Sequence, residues 1–329
     1  MLVAGPNLAI DRTLYLDALR PGEVLRFTRA DVTAGGKGVN VCRAARSLGA
    51  SAALVGFIAG RTGEALAALA ADEGIDLEAI PIAGEVRSAA IIIESDGRTT
   101  VLNEPGPPID EGDWGRYQRA VEQRLDRHRM LVCIGSAPPG APPDAYGRLV
   151  RIAHDGSISS LVDAAGLLLA GALDQEPDFV APNVHEAEAV LGLGTGRALV
   201  DSDDTVKERA IEAARRLVER GAGTALVTAD RAGLALASRR EARWVNAPEV
   251  AVANPIGAGD AFAAGFSLAI EEGATMSGAV AQGMAAAAAS VEQELAGALD
   301  PERSRALKAR IDIPGGESRA GPRGLEKHP

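Results

Sequence analysis

The sequence predicts an α/β protein: a mostly parallel β-sheet between two layers of helices, with a small antiparallel β lid over the sheet's ligand edge. Three observations carry this. Short apolar runs alternate with helical patterns along most of the chain, as in a parallel sheet covered on both faces. Two segments, 11–28 and 87–103, are extended and joined by turns with no helix between, which marks hairpins outside the parallel layer. Apolar residues make up 47% of the 329 and aromatics only 3%, so a large core is available and it is built from small aliphatic side chains.

In chain order, buried strands are expected at 2–4, 52–57, 130–134, 158–162, 179–181 and 225–228. Helices are expected at 38–48, 63–73, 114–126, 144–154, 185–191, 205–220 and 261–270. Right-handed crossovers between such strands place ligands at their carboxyl ends. Pro21-Gly22 turns the first hairpin and Asp96-Gly97 the second. One domain is expected over 1–312, and the Gly-, Pro- and charge-rich tail from Gly315 is expected to be disordered.

Composition excludes several classes of function. A formal charge of −11 argues against a nucleic-acid surface, which needs a basic patch. The same charge means that an anion site must rely on local Arg, Lys and backbone amides. Cys42 and Cys133 have no CxxC spacing and suit a reducing compartment, and the four histidines show no metal-ligand spacing. No basic leader precedes an apolar stretch, and no uncharged run reaches the roughly 18 residues of a membrane span. A soluble cytoplasmic protein is expected.

The most informative stretch is Asn254-Pro255-Ile256-Gly257-Ala258-Gly259-Asp260-Ala261-Phe262. Small residues let the backbone turn tightly and approach a ligand. The amides of Gly257, Ala258, Gly259 and Asp260 open a helix, where unpaired N–H groups and the helix dipole attract anions, phosphate above all. Asp260 is out of place there unless it takes a proton from a hydroxyl that attacks a phosphate, so the turn reads as anion hole and general base of a phosphotransferase. The plainer alternative is an N-cap aspartate.

A second glycine cluster, Gly35-Gly36-Lys37-Gly38-Val39-Asn40, opens the helix that ends near Leu48. Its glycines allow close approach to a ligand, and Asn40 can both donate to and accept from a sugar hydroxyl. It matches neither a GxxxxGK[ST] loop nor a GxGxxG turn.

These two clusters together resemble the paired signatures of the PfkB (ribokinase-like) family of carbohydrate kinases, over roughly Leu2 to Arg310. Further marks are similar to the family's sugar-phosphate branch: Asn7-Leu8-Ala9-Ile10-Asp11, Asn103-Glu104-Pro105-Gly106-Pro107, Gly135-Ser136-Ala137-Pro138-Pro139-Gly140 and Pro182-Asn183-Val184-His185-Glu186. The resemblance implies a ribokinase-like three-layer α/β/α sandwich and ATP-dependent phosphorylation of a ketohexose phosphate, with Mg²⁺. Fructose 1-phosphate stands ahead of fructose 6-phosphate and tagatose 6-phosphate. A kinase of an unphosphorylated sugar or nucleoside is a second reading, and a non-enzymatic sugar-phosphate sensor a third.

The resemblance also assigns roles. Asp11, Gly36, Gly38 and Asn40 meet the sugar. Arg87 grips its phosphate with a planar fork, Ser136 donates to the same phosphate, and Lys37 and Arg26 are further phosphate candidates or else surface charge. Asn183 and Glu186 organise Mg²⁺ through water, or else simply cap their helix. Thr228, Asp230 and Gly233 border the nucleotide with Asn183 and the Gly257–Gly259 turn. The alanine-rich stretch 281–290 shapes the adenine pocket or else packs as core. The lid's outer face is a candidate homodimer surface. Departures from the branch pattern are Ala181, Ala164-Ala165 after Asp163, Cys42, Val24 and the charged loop 229–233. They leave kinase chemistry intact and put substrate identity in question.

Overall fold

The structure, a computed structural model, describes residues 1–193 and 203–313; the tail expected from Gly315 lies outside the described residues. Strand β1 (Leu2–Ala4) leads into a first hairpin, β2 (Ala9–Leu16) and β3 (Arg29–Gly35). Next come α1 (Lys37–Ser47), β4 (Ala53–Ala59), α2 (Gly60–Asp72) and β5 (Asp76–Ile82). The second hairpin is β6 (Arg87–Glu94) with β7 (Thr99–Asn103). Then follow α3 (Glu111–Leu125), β8 (Met130–Ile134), α4 (Ala145–Asp155), β9 (Ser159–Asp163), α5 (Gly166–Leu173) and β10 (Phe179–Val180). The chain continues through α6 (Val184–Leu191), α7 (Asp203–Glu219), β11 (Thr224–Ala229), β12 (Gly233–Ser238) and β13 (Ala242–Asn246). It closes with α8 (Ala258–Glu271), α9 (Met276–Val291) and α10 (Pro301–Lys308).

The main sheet has the order β13-β12-β11-β10-β9-β8-β1-β4-β5. It is parallel from β5 to β11, and β12 and β13 add an antiparallel edge. From β1 the chain builds outward to β4 and β5 and later to β8 and beyond. The strand order therefore reverses between β1 and β8, where open α/β sheets hold ligands.

Alternating residues of the central strands feed two cores. Val3, Leu54, Val132, Leu161 and Leu226 face one layer with Val39, Leu66, Phe262, Phe266 and Ala285. Leu2, Val55, Leu131, Val162 and Val227 face the other with Trp114, Tyr117, Leu149, Val184 and Leu217. This is the expected three-layer sandwich. Near-continuous apolar strands follow from burial on both faces.

The lid sheet has the order β3-β2-β6-β7. Each hairpin is antiparallel, and the two join through a parallel β2–β6 pair. The second hairpin lies as expected. The first differs: its return strand is Arg29–Gly35, beyond the expected limit at 28, and pairs from Ala9↔Gly35 to Tyr15↔Arg29. The apolar Leu25 and Phe27 imitate a strand but sit in the connecting loop. Helices α5 and α10 and strands β5, β12 and β13 had no counterpart among the expected elements.

Helices α8 and α9 pack through glycine. A Cβ on Gly265 would lie 2.9 Å from the Ala286 Cβ, and one on Gly283 would lie 2.8 Å from the Phe262 ring. The alanine-rich stretch of α9 is thus core against the helix that carries Asp260. Among the described residues no helix is long and apolar enough to cross a membrane. Gly283→Val should overpack this seam and destabilise the protein by about 1–3 kcal/mol. A wild-type unfolding midpoint in denaturant would show that the two helices can separate at no cost.

Candidate active site

The expected site residues gather at the carboxyl ends of the parallel strands. Asn7 follows β1, Ser136 follows β8, Asp163 ends β9, Asn183 follows β10 and Thr228 lies near the end of β11. Asn7 Nδ2 donates to Ser136 Oγ at 2.9 Å, a bond across the sheet's point of reversal. Arg87, on β6 of the lid, donates to the Asn7 carbonyl (3.2 Å from one terminal nitrogen) and to Asn103 Oδ1 (3.1 Å). Arg87 and Ser136 therefore meet around Asn7. Gly106 is fitted to this group, since a Cβ there would be 2.7 Å from Asn7 Oδ1.

Asp11, on β2, is buried beneath the lid. The backbone of Gly35 lies so close that a Cβ there would fall 2.1–2.3 Å from the Asp11 carboxyl atoms. Burial pushes the Asp11 carboxyl up to about 6, against the pull of Arg87 and Arg43. Arg87 itself is lowered by burial, with Asp11 and Glu104 opposing.

Asp260 does not cap its helix. Its Oδ2 accepts from Asn40 Nδ2 at 2.8 Å, and α8 begins at Gly257 (φ 88°) without any side-chain cap. The first-turn amides of α8 are left for a ligand. A Cβ on Gly259 would meet only Asp163 Oδ2, at 3.9 Å, so the space above the turn is open. Asp260 is 4% exposed. Burial pushes its carboxyl up to about 7; Lys37 and the Asn40 bond pull it down, and Asp163 and Asp11 push it up. A carboxyl poised near neutrality beside an anion site is suited to general-base work.

Lys37 opens α1, after Gly36 at φ 92°. Its Nζ donates to Asp163 Oδ1 at 3.0 Å. Burial lowers its pKa, but Asp163, Asp260 and Glu186 outweigh that and the net shift is upward. Lys37 is thus the cation of an acidic cluster between the two glycine turns, and Asp163, noticed in the sequence only as the residue before the Ala164-Ala165 departure, is part of it. Gly38 is fixed by packing: a Cβ there would be 2.7 Å from Leu54 Cδ1.

Asn183 and Glu186 do form a capping box at α6: Glu186 N–H donates to Asn183 Oδ1 at 3.0 Å and Asn183 N–H to Glu186 Oε2 at 2.9 Å. Burial raises the Glu186 carboxyl, Lys37 lowers it and Asp163 raises it, so it belongs electrostatically to the same cluster. Among the described residues no three His, Cys, Asp or Glu side chains are close enough to hold a metal by themselves. The Glu186 carboxylate and the Asn183 amide are oxygen donors of the kind Mg²⁺ takes, alongside waters and phosphates.

Thr228 bridges to Asn183 across the sheet edge. Asp230 (φ 46°) is exposed in the turn after β11, and Gly233 is required by strand pairing, since a Cβ there would be 2.2 Å from the Val245 carbonyl. Arg26 is exposed in the β2–β3 loop, and His185 is exposed. Arg43 was missed altogether. It is buried on α1, one helical turn after Asn40, and donates to Asn40 Oδ1 at 2.9 Å.

The chain is similar to known sugar-phosphate kinases. It is 30% identical over 276 residues to a 1-phosphofructokinase of Xanthomonas campestris pv. campestris, covering 82% of this chain and 83% of the relative. The structure of Escherichia coli phosphofructokinase-2 in complex with fructose-6-phosphate aligns with a TM-score of 0.82 at 25% identity, over 94% of this chain and 98% of that one. A ribokinase from Thermotoga maritima shares the fold with a TM-score of 0.70 at 22% identity, over 93% and 98% of the two chains. The pattern described as pfkB family carbohydrate kinase matches residues 5–303, both glycine turns included, and the chain belongs to that family.

Proposed function

We propose that this protein transfers the γ-phosphoryl group of ATP to a free hydroxyl of a ketohexose phosphate, making a bisphosphate, with fructose 1-phosphate the first candidate. The observation that carries this reading is the pairing of a buried Asp260 with the uncapped, open turn at Gly257, Ala258 and Gly259. Asp260 takes the proton of the attacking hydroxyl, and the first-turn amides of α8 bind the phosphoryl oxygens. Asp11 and Asn40 orient the sugar, with Gly36 and Gly38 keeping the backbone close. Arg87 and Ser136, converging on Asn7, hold the phosphate already present, which favours a phosphorylated substrate over a neutral sugar. Lys37 supports the charge of the transferred group from its place beside Asp163. Arg26, exposed in the β2–β3 loop, is a further cation assigned to that phosphate.

ATP uses the edge near Thr228, Asp230, Gly233 and Asn183. Mg²⁺, when bound, neutralises phosphate charge, and Glu186 and Asn183 would hold it through water. A 1-phosphofructokinase relative supports the choice of substrate, and the neighbour solved with fructose-6-phosphate supports the class. The lid leaves Val24, Phe27, Val32 and Leu102 exposed, at 88%, 48%, 47% and 59%. We assign this patch to contact with a second copy. Phosphofructokinase-2 of E. coli has been seen as a tetramer.

Asp260→Asn should lower kcat by at least the ~10²–10⁴-fold of a general base while nucleotide binding persists. In the wild type, kcat/KM for the sugar phosphate should climb as pH rises through about 7, where Asp260 ionises. A flat profile between pH 5.5 and 8, or an active Asp260→Asn enzyme, would remove Asp260 from the chemistry. The same variant carries a stability signature. Asp260 is raised in the folded state, so its ionisation costs stability between about pH 4 and about 7, and Asp260→Asn should raise Tm at pH 8 but not at pH 4.

Arg87→Ala should raise KM for the sugar phosphate by about 10²-fold, the loss of a charged bidentate partner, with KM for ATP little changed. Equal KM values for the sugar phosphate in the two enzymes would sink the phosphate grip and point to a neutral substrate. Leu102→Lys with Val24→Asp should shift the protein toward monomer in sedimentation; an unaltered distribution would place the interface elsewhere.

A further inference from the structure

Arg43 has all five guanidinium N–H groups engaged, the full capacity of the side chain. Nε donates to Glu73 Oε2 at 2.6 Å, and one terminal nitrogen donates to Glu73 Oε1 at 2.8 Å and to the Ala34 carbonyl at 2.7 Å. The other donates to Asn40 Oδ1 at 2.9 Å and to the Ala296 carbonyl at 2.6 Å. The side chain is about 7% exposed. A buried arginine of this kind is often only a staple, and the Glu73 pair alone fits that description.

The other partners do not. Among the described residues Asn40 Nδ2 is the one side-chain donor found on Asp260, and a carboxamide can present either edge. Arg43 is a permanent cation and cannot accept, so it requires the amide oxygen on its own side and turns the NH₂ toward Asp260. Ala296 belongs to the loop 292–299, whose Gly297 lies against both site turns. A Cβ on Gly297 would be 2.6 Å from the Asn40 carbonyl oxygen, and one on Gly257 would be 2.7 Å from Gly297 N. Ala34 is the next-to-last residue of the lid strand β3, immediately before the Gly35 that packs on Asp11. One guanidinium thus touches the residue that orients the base, the loop behind the anion turn and the root of the lid.

We propose that Arg43 is the positioning residue of this active site, setting Asn40, and through it Asp260, while holding loop 292–299 against the anion-binding turn. Arg43 meets no substrate in this arrangement and acts only through these groups. The proposal rests on the role given to Asp260 above.

The test is Arg43→Lys, which keeps the charge opposite Glu73 but has fewer donors and no fork. The control is Arg209→Lys, which breaks a comparable pair on the opposite face of the sheet, where Arg209 donates to both oxygens of Glu188 at 2.6 Å. With MgATP and fructose 1-phosphate, kcat of Arg43→Lys should fall by about 10²-fold, the effect of a misplaced catalytic group, with KM for ATP within about threefold. Its kcat/KM limb should move to higher pH, because Asp260 loses the Asn40 bond while Lys37, Asp163 and Asp11 still face it. Arg209→Lys should keep kcat at a similar loss of Tm.

Equal losses of kcat in the two variants, or an unmoved pH limb in Arg43→Lys, would reduce Arg43 to a staple and overturn the proposal. A second readout needs no turnover. The pH dependence of the Tm difference between Asp260 and Asp260→Asn is measured with Arg43 and with Lys in its place. A midpoint displaced to higher pH supports the positioning role; an identical midpoint overturns it. A wild type inactive on every sugar phosphate would defeat the proposed function alone, since this titration still decides the case of Arg43.

Discussion

The arrangement of this protein depends on keeping one carboxylate out of water beside a place built for anions. Asp260 is buried at the first turn of α8, where the backbone offers N–H groups and no side chain takes them. Burial favours the protonated carboxyl, and a carboxyl that already holds its proton cannot take one from a hydroxyl. The Lys37 ammonium and the Asn40 amide hold the group near pH 7. Stability is given up for this, because the same carboxyl would be easier to bury protonated. Site and scaffold therefore pull in opposite directions, and the scaffold answers with rigid packing around α8, including the glycine seam to α9.

Close approach serves the same end throughout the site. Gly35 lets the lid backbone rest on Asp11, and Gly297 lets loop 292–299 rest on Asn40. Neither position admits a Cβ without moving Asp11 or Asn40. The lid strands that carry Asp11 and Arg87 pair directly with each other, Ala9 opposite Arg87 and Asp11 opposite Ala89. The side chains proposed to meet sugar and phosphate are thus set in register by one parallel ladder, and a one-residue slip of either strand would turn its own side chain to the wrong face.

Much of this was legible from local pattern. Apolar runs gave the central strands because a doubly covered strand must be apolar on both faces. The glycine turns gave the two helix openings because few other residues suit those backbones. What escaped was decided at long range. The first lid hairpin was drawn short because its loop carries apolar Leu25 and Phe27, whereas the true return strand, Arg29–Gly35, is half polar and owes its place to pairing with β2. Asp163 reads as an ordinary strand end until Lys37, 126 positions away, is brought to it. Arg43 left one local clue, its i+3 spacing from Asn40 on a single helix face. Its other partners, Glu73 and Ala296, lie 30 and 253 positions off.

A protein of charge −11 must still bind two polyanions, and the charges at the site show how. Its cations are not free: Lys37 is paired with Asp163, Arg43 with Glu73, and Arg87 is faced by Asp11 and Glu104. Long-range attraction of phosphates would be weak, so binding has to come from short-range groups that work only at contact. Neutral donors fill that need. The first-turn amides of α8 and the Ser136 hydroxyl offer hydrogen bonds without adding net charge, and they do not have to release a carboxylate first. The paired cations then act as a reserve. The Lys37 ammonium has three N–H donors and spends one on Asp163, so it can serve a second anion without releasing the first. A ligand lacking phosphate would leave Lys37 on Asp163 and Arg87 on Asn7 and Asn103.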